Sequence, residues 1–161
     1  MQRLRGRMDH ARDSFERALS TALAIGHPLG EGAARLGLGE IHAFRGKFDV
    51  AAEHYATAQE IAGLAGFRSG DLDAQLGLGW GKLRRGSPAV VEFKRALDMA
   101  REAGDHRCEQ VALNGLGQDH KAHGRLDLAT DTFEAALRSG DAHGDRPGDL
   151  EGAAPTAARV R

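Results

Sequence analysis

Residues 37–58 read Gly37-Leu38-Gly39-Glu40-Ile41-His42-Ala43-Phe44-Arg45-Gly46-Lys47-Phe48-Asp49-Val50-Ala51-Ala52-Glu53-His54-Tyr55-Ala56-Thr57-Ala58. Three markers lie in this stretch: a Gly-Leu-Gly, a lone Gly, and an Ala followed at fixed spacing by an aromatic and a second Ala. All three return. The Ala-aromatic-Ala pattern occurs as Ala11-Phe15-Ala18, Ala51-Tyr55-Ala58, Ala89-Phe93-Ala96 and Ala129-Phe133-Ala136, at offsets of 40, 38 and 40 residues. Gly-Leu-Gly recurs at 77–79 and 115–117, the lone Gly at Gly6, Gly46, Gly86 and Gly124, and a further Gly at Gly26, Gly66, Gly104 and Gly144. Markers that hold one phase along the chain define a repeat of 38–40 residues.

Each period divides into two helices at the glycines. Ala11, Phe15, Ala18, Ala22 and Ile25 step by four and three, which puts them on one helical face, and Ala51, Tyr55, Ala58, Ala62 and Ala65 do the same. Asp49 and Asp127 read as N-caps, Ser87-Pro88 as a cap followed by Pro at the first helical position, and the closing glycines as left-handed C′ residues. The spacing predicts helices at about 8–25, 29–45, 49–65, 69–85, 88–103, 106–123 and 127–142, with no strand. Gly39, Gly79 and Gly117 lie inside helices, where each costs about 1 kcal/mol relative to Ala. Their phase therefore points to packing: they remove side chains where the second helix crosses, so that backbones approach closely around one large aromatic knob per repeat.

Composition excludes several classes. The chain has 161 residues, a formal charge of −1, and no basic stripe of the kind that phosphate neutralisation needs. Its apolar runs fall far short of the ~18 residues that span a bilayer. No apolar segment follows Met1 as in a secretory signal. The single cysteine, Cys108, cannot form an intrachain disulfide, which makes a reducing cytoplasm the default setting. There is no phosphate-binding Gly-x4-Gly-Lys-Ser/Thr loop, no His-Glu-x-x-His and no Gly-x-Ser-x-Gly. No enzymatic activity and no cofactor are expected. His120 and His123 share a helical face, but no clear third ligand joins them, Asp119 pointing elsewhere on the wheel; His106-x-Cys108 is equally incomplete, and no metal is expected. Cys108 reads as a small core residue.

A Leu-Gly pair on one helix followed by Ala-x3-aromatic-x2-Ala on the next resembles the tetratricopeptide repeat over about residues 4–143. The chain departs from that pattern in its longer period and in lacking the Pro that usually follows the second helix. Arg35, Gln75 and Leu113 stand where the first helix usually has Trp, and His42, Lys82 and His120 where it has Tyr. The longer version is similar to arrays attached to bacterial, particularly actinobacterial, transcriptional regulators and signal-transduction ATPases, on the strength of Ala100-Arg101-Glu102-Ala103-Gly104-Asp105-His106-Arg107 and Ala112-Leu113-Asn114-Gly115-Leu116-Gly117.

The resemblance implies an all-α, right-handed α-solenoid of antiparallel helical hairpins, with an orphan helix at 8–25 and hairpins at 29–65, 69–103 and 106–142. It also implies a non-enzymatic scaffold whose first helices line a concave groove for a partner protein segment or peptide, without direct contact to nucleic acid or membrane. Alternatives are a sensor for a small signalling peptide or ligand, and a self-association module acting through its end helices. The implied groove residues are Leu36, Glu40, Ala43 and Phe44, then Asp73, Leu76, Trp80 and Arg84, then Asn114, Gln118 and Lys121. Asn114 takes the place where relatives carry an Asn that bonds a ligand backbone, and Trp80 is the type of amphipathic anchor enriched in binding hot spots.

The ends are out of phase with the repeat. Leu4-Arg5-Gly6 matches the close of a first helix, so helix 8–25 is expected to stand without its hairpin partner. Gly144-Asp145-Arg146 opens as another first helix would, but Pro147, Gly148, Gly152 and Pro155 are expected to prevent one and leave 144–161 as a disordered tail. Such ends suit a piece of a larger regulator, end-to-end association or a marginal monomer, the first being favoured.

Overall fold

The structure, a computed structural model, describes residues 2–143, with side chains described over 6–140. The anticipated tail at 144–161 lies outside the described residues. Within them the chain is all α, with seven helices: α1 (Gln2–Ala24), α2 (Pro28–Phe44), α3 (Phe48–Ala65), α4 (Arg68–Arg84), α5 (Val90–Ala103), α6 (His106–Ala122) and α7 (Leu126–His143). Six turn glycines, from Gly26 to Gly124, have φ between +62° and +74°, a region that L side chains avoid. At Gly66 the helix closes with Phe67 N–H donating to the Ala62 carbonyl at 2.8 Å, a Schellman-type end that satisfies the last carbonyls.

Several boundaries differ from the sequence reading. Gly6 lies within α1, which runs unbroken from Gln2; a Cβ at Gly6 would meet nothing within 4 Å, so no partner forces a turn there. Asp49 and Asp127 are the second residues of α3 and α7, where they favour the helix dipole rather than capping it. Side-chain caps come from His27, which accepts from Gly30 N–H, and Asp105, which accepts from Cys108 N–H, both at 2.9 Å. Ser87 and Pro88 precede α5, whose N-cap is Ala89.

Consecutive helices pack as antiparallel pairs. In addition α2 approaches α4, and α4 approaches α6, within 8 Å between Cα atoms, whereas α1, α3, α5 and α7 make no such contacts with one another among the described residues. The first helices thus form a tight inner row and the second helices a splayed outer row. A stack built this way curves with its concave side on α2, α4 and α6.

The repeat markers meet at the joints of this stack. A Cβ on Gly39 would lie 2.6 Å from the Tyr55 ring, and one on Gly77 would lie 2.6 Å from the same ring. Phe93 is held likewise, with Gly79 at 2.8 Å from Cε1 and Gly115 at 2.5 Å from Cδ1. Each internal aromatic is therefore clamped between the last Gly of its own Gly-Leu-Gly and the first Gly of the next. The glycines make room for rings, not for the backbone-to-backbone contact expected from sequence. Among the described residues one such glycine, Gly37, lies against Phe15 and one, Gly117, against Phe133. The core follows the same joints: Ala51, Tyr55, Ala58 and Ala74 form one cluster, and Leu72, Leu76, Phe93, Ala96, Leu113 and Leu116 belong to another.

Candidate groove on the concave face

The inner row frames an open groove of about 530 Å³ between α2 and α4, with α1, α3 and α6 contributing at its edges. Eight of the eleven anticipated residues line it: Leu36, Glu40, Ala43 and Phe44 from α2, and Asp73, Leu76, Trp80 and Arg84 from α4. They converge because the inner-row side chains of adjacent first helices face one another across the α2–α4 contact. Met8 from α1 and Arg107 from α6 also line the groove and were not foreseen. Met8 lies ahead of the repeat signature, and Arg107 reaches in from the next hairpin.

Trp80 is half-buried, its ring meeting Phe93 edge-on with centroids 5.2 Å apart at 73°. One side of the indole is thus anchored on the clamped core ring while the residue still borders the groove. Phe44 is exposed at the groove's edge, 58% accessible despite its size. Burial raises the Glu40 carboxyl, and neighbouring Asp73 raises it further. Burial also raises the Asp73 carboxyl, with Arg107 opposing and Asp105 adding to the rise. Burial pushes the Tyr55 hydroxyl up to about 12, reinforced by Glu40 and opposed by Arg84. Arg107 approaches Asp73 at 3.9 Å, but among the described residues no cation comes within ion-pair distance of Glu40. The floor is therefore apolar, with a carboxylate lacking a salt-bridge partner and a guanidinium on its walls.

The α6 candidates lie elsewhere. Gln118 and Lys121 are exposed on α6 outside the groove, and Asn114 borders a separate depression against α7. From α6 it is Arg107 and Val111, nearer its start, that reach the groove.

His120 and His123 have different surroundings. His120 is buried, with Nδ1 lacking a hydrogen-bond partner, and burial, aided by Arg125, lowers its pKa. His123 Nδ1 lies 2.8 Å from the Asp119 carbonyl. Among the described residues no three His, Cys, Asp or Glu side chains are grouped to hold a metal.

Asp119, expected to point away from the two histidines, instead lies with Oδ2 3.4 Å from His123 Nδ1, and its structural role was missed. Its carboxylate is fully buried, accepting from Ala89 N–H at 2.7 Å and from the Arg125 guanidinium at 2.6 Å. It ties the start of α5 to the end of α6 across two hairpins. The available signal was its departure from the repeat: equivalent positions hold Ile41 and Gly81. Among the described residues no helix is long and apolar enough to cross a membrane.

No protein-family model matches the sequence, and no curated protein matches it. Among solved structures, the chain resembles the crystal structure of BtubC (BKLC) from P. vanneervenii, with a TM-score of 0.75 over 97% of this chain at 23% identity. This chain spans 63% of the length of that one. The likeness is one of fold: a stack of helical hairpins.

Proposed function

We propose that the chain is a tetratricopeptide-type array acting as a non-enzymatic interaction module, which holds a segment of a partner protein in the α2–α4 groove. The observation that carries this reading is the groove's composition. Trp80 and Phe44 offer apolar surface beside Glu40, an exposed carboxylate with no salt-bridge partner among the described residues, and Arg84 stands on the same α4 wall. An aromatic anchor surrounded by a few polar groups is the usual make-up of a binding hot spot. The preferred segment carries an apolar side chain for Trp80 and a basic group for Glu40. The setting implied by the sequence resemblance is a bacterial regulatory or signalling assembly in the cytoplasm.

A randomised peptide library displayed on phage and selected against the full chain tests the proposal. Trp80→Ala is expected to weaken the selected peptides by about thirtyfold, the loss typical of a hot-spot aromatic. Glu40→Gln is expected to weaken those bearing a basic residue. Selected peptides that bind both variants as tightly as the parent would refute the groove as the binding site.

A further inference from the structure

The repeat aromatics are three phenylalanines and one tyrosine: Phe15, Tyr55, Phe93 and Phe133. The clamp grips a ring, and Phe93 satisfies it between Gly79 and Gly115 with no hydroxyl. The hydroxyl of Tyr55 is therefore an addition that the joint does not require. Among the described residues it has no hydrogen-bond partner, although Tyr55 as a whole is only 4% exposed. A polar atom on a side chain this buried ordinarily has one.

The clamp aims that oxygen into the groove. A Cβ on Gly39 would lie 2.6 Å from Cε1, and one on Gly77 2.6 Å from Cζ, the carbon that bears the hydroxyl. The ring tip is thus held between α2 and α4, and Tyr55 is what α3 contributes to the groove lining. Gly77 lies four residues after Asp73 and three before Trp80, within the α4 stripe that walls the groove, and Glu40 follows Gly39 on α2. With its pKa pushed up to about 12, mainly by burial, the hydroxyl stays neutral and keeps lone pairs to offer.

Resting on the groove reading above, we infer that the Tyr55 hydroxyl belongs to the binding site, and that the basic side chain of the partner segment donates to the Tyr55 oxygen and the Glu40 carboxylate together. An ammonium has three N–H donors and a guanidinium five, so one cation serves both acceptors. A backbone carbonyl could take the hydroxyl proton but would leave Glu40 unmatched. Asp73 is approached by Arg107 at 3.9 Å, which leaves Glu40 as the carboxylate open to a cation. Arg84 lies two helical turns beyond Gly77, past Trp80, so like charge also directs the cation to the Glu40 end.

The test uses Tyr55→Phe in the full chain and a basic peptide selected against the parent from the phage library. Phe fills the other three joints, so the thermal midpoint should stay close to that of the parent. Affinity for the basic peptide is expected to fall about tenfold, as when a hydrogen bond to a charged group is lost. With its basic residue changed to norleucine, the peptide should bind the variant and the parent alike. Equal affinity of the basic peptide for both proteins overturns the inference, and the groove reading survives if Trp80→Ala still weakens that peptide. A loss that persists with the norleucine peptide also overturns it, assigning the hydroxyl to the peptide backbone. Selected peptides without a basic residue count equally against it, and a library with no binder sensitive to Trp80→Ala removes the groove reading as well.

Discussion

Replacing Gly115 with Ala tests the clamp around Phe93. The added Cβ would lie 2.5 Å from Phe93 Cδ1 and closer still to Cε1, whereas carbon atoms pack at about 3.5–4 Å, so the ring must yield by roughly 1 Å. It has little room to do so. Phe93 is fully buried, Gly79 also lies against its ring, and Trp80 packs on it edge-on. Overpacking of this kind costs about 1–3 kcal/mol, and Ala regains about 1 kcal/mol of helix propensity. The net expectation runs from about zero to a loss of about 2 kcal/mol, the upper end being about 4–8 °C in Tm for a domain of this size. Gly63→Ala is the matched control. It lies in α3 with nothing within 4 Å of the new Cβ, so only the propensity gain remains and Tm rises by about 2–4 °C. Thermal and urea unfolding followed by circular dichroism measure both. A double-mutant cycle with Phe93→Leu adds a sign: Gly115→Ala should cost much less once the ring is gone. A Gly115→Ala protein stabilised as much as Gly63→Ala would refute the clamp.

Asp119→Ala is expected to destabilise the fold by about 2 kcal/mol, because Ala89 N–H is left without its acceptor and Arg125 without its partner; a urea midpoint equal to that of the parent would discount the tie. His42 and His54 stack at 5.4 Å between α2 and α3, and burial lowers both pKa values, with Lys47 and Arg45 adding to the effect on His42 and each imidazole's Nδ1 unpartnered. Their folded values lie below the ordinary 6.5, so the folded state binds fewer protons than the unfolded one. Stability is therefore full above about pH 7 and falls as the pH drops through 6.5 towards the lowered values. His120 titrates in the same direction, so replacing His42 and His54 with Asn should flatten most, not all, of the decline in urea midpoint between about pH 7.5 and pH 5. An unchanged decline would remove the pair from the account.

The repeat and the helix succession were legible because both rest on local rules: a 3.6-residue period, and glycines at left-handed turns. Helix caps were less so, since Asp49 and Ser87 have the right chemistry but tertiary packing sets the first residue of α3 and α5. The role of the Gly-Leu-Gly glycines was half legible. Their phase announced a packing purpose, while only the three-dimensional arrangement shows that the two glycines of one motif serve rings from different hairpins. Eight groove residues on α2 and α4 could be placed from register alone. Asn114, Gln118 and Lys121 could not, because of α6 the groove takes Arg107 and Val111, while Asn114 borders the depression against α7. Asp119 was hidden for a related reason: its acceptor duty belongs to an amide 30 residues away.

The clamped rings also bear on how such a chain can change length over time. The unit that packs, a ring between two glycines, straddles the unit that is copied, because one glycine comes from each side of a hairpin boundary. A duplication or deletion of one whole period parts a ring from its far glycine and supplies an equivalent glycine in the same place. Every interior joint is thereby rebuilt, whatever the number of copies. Only the outermost rings, here Phe15 and Phe133, are left with one glycine among the described residues, and at these two positions a change in copy number alters what the surface offers to its surroundings.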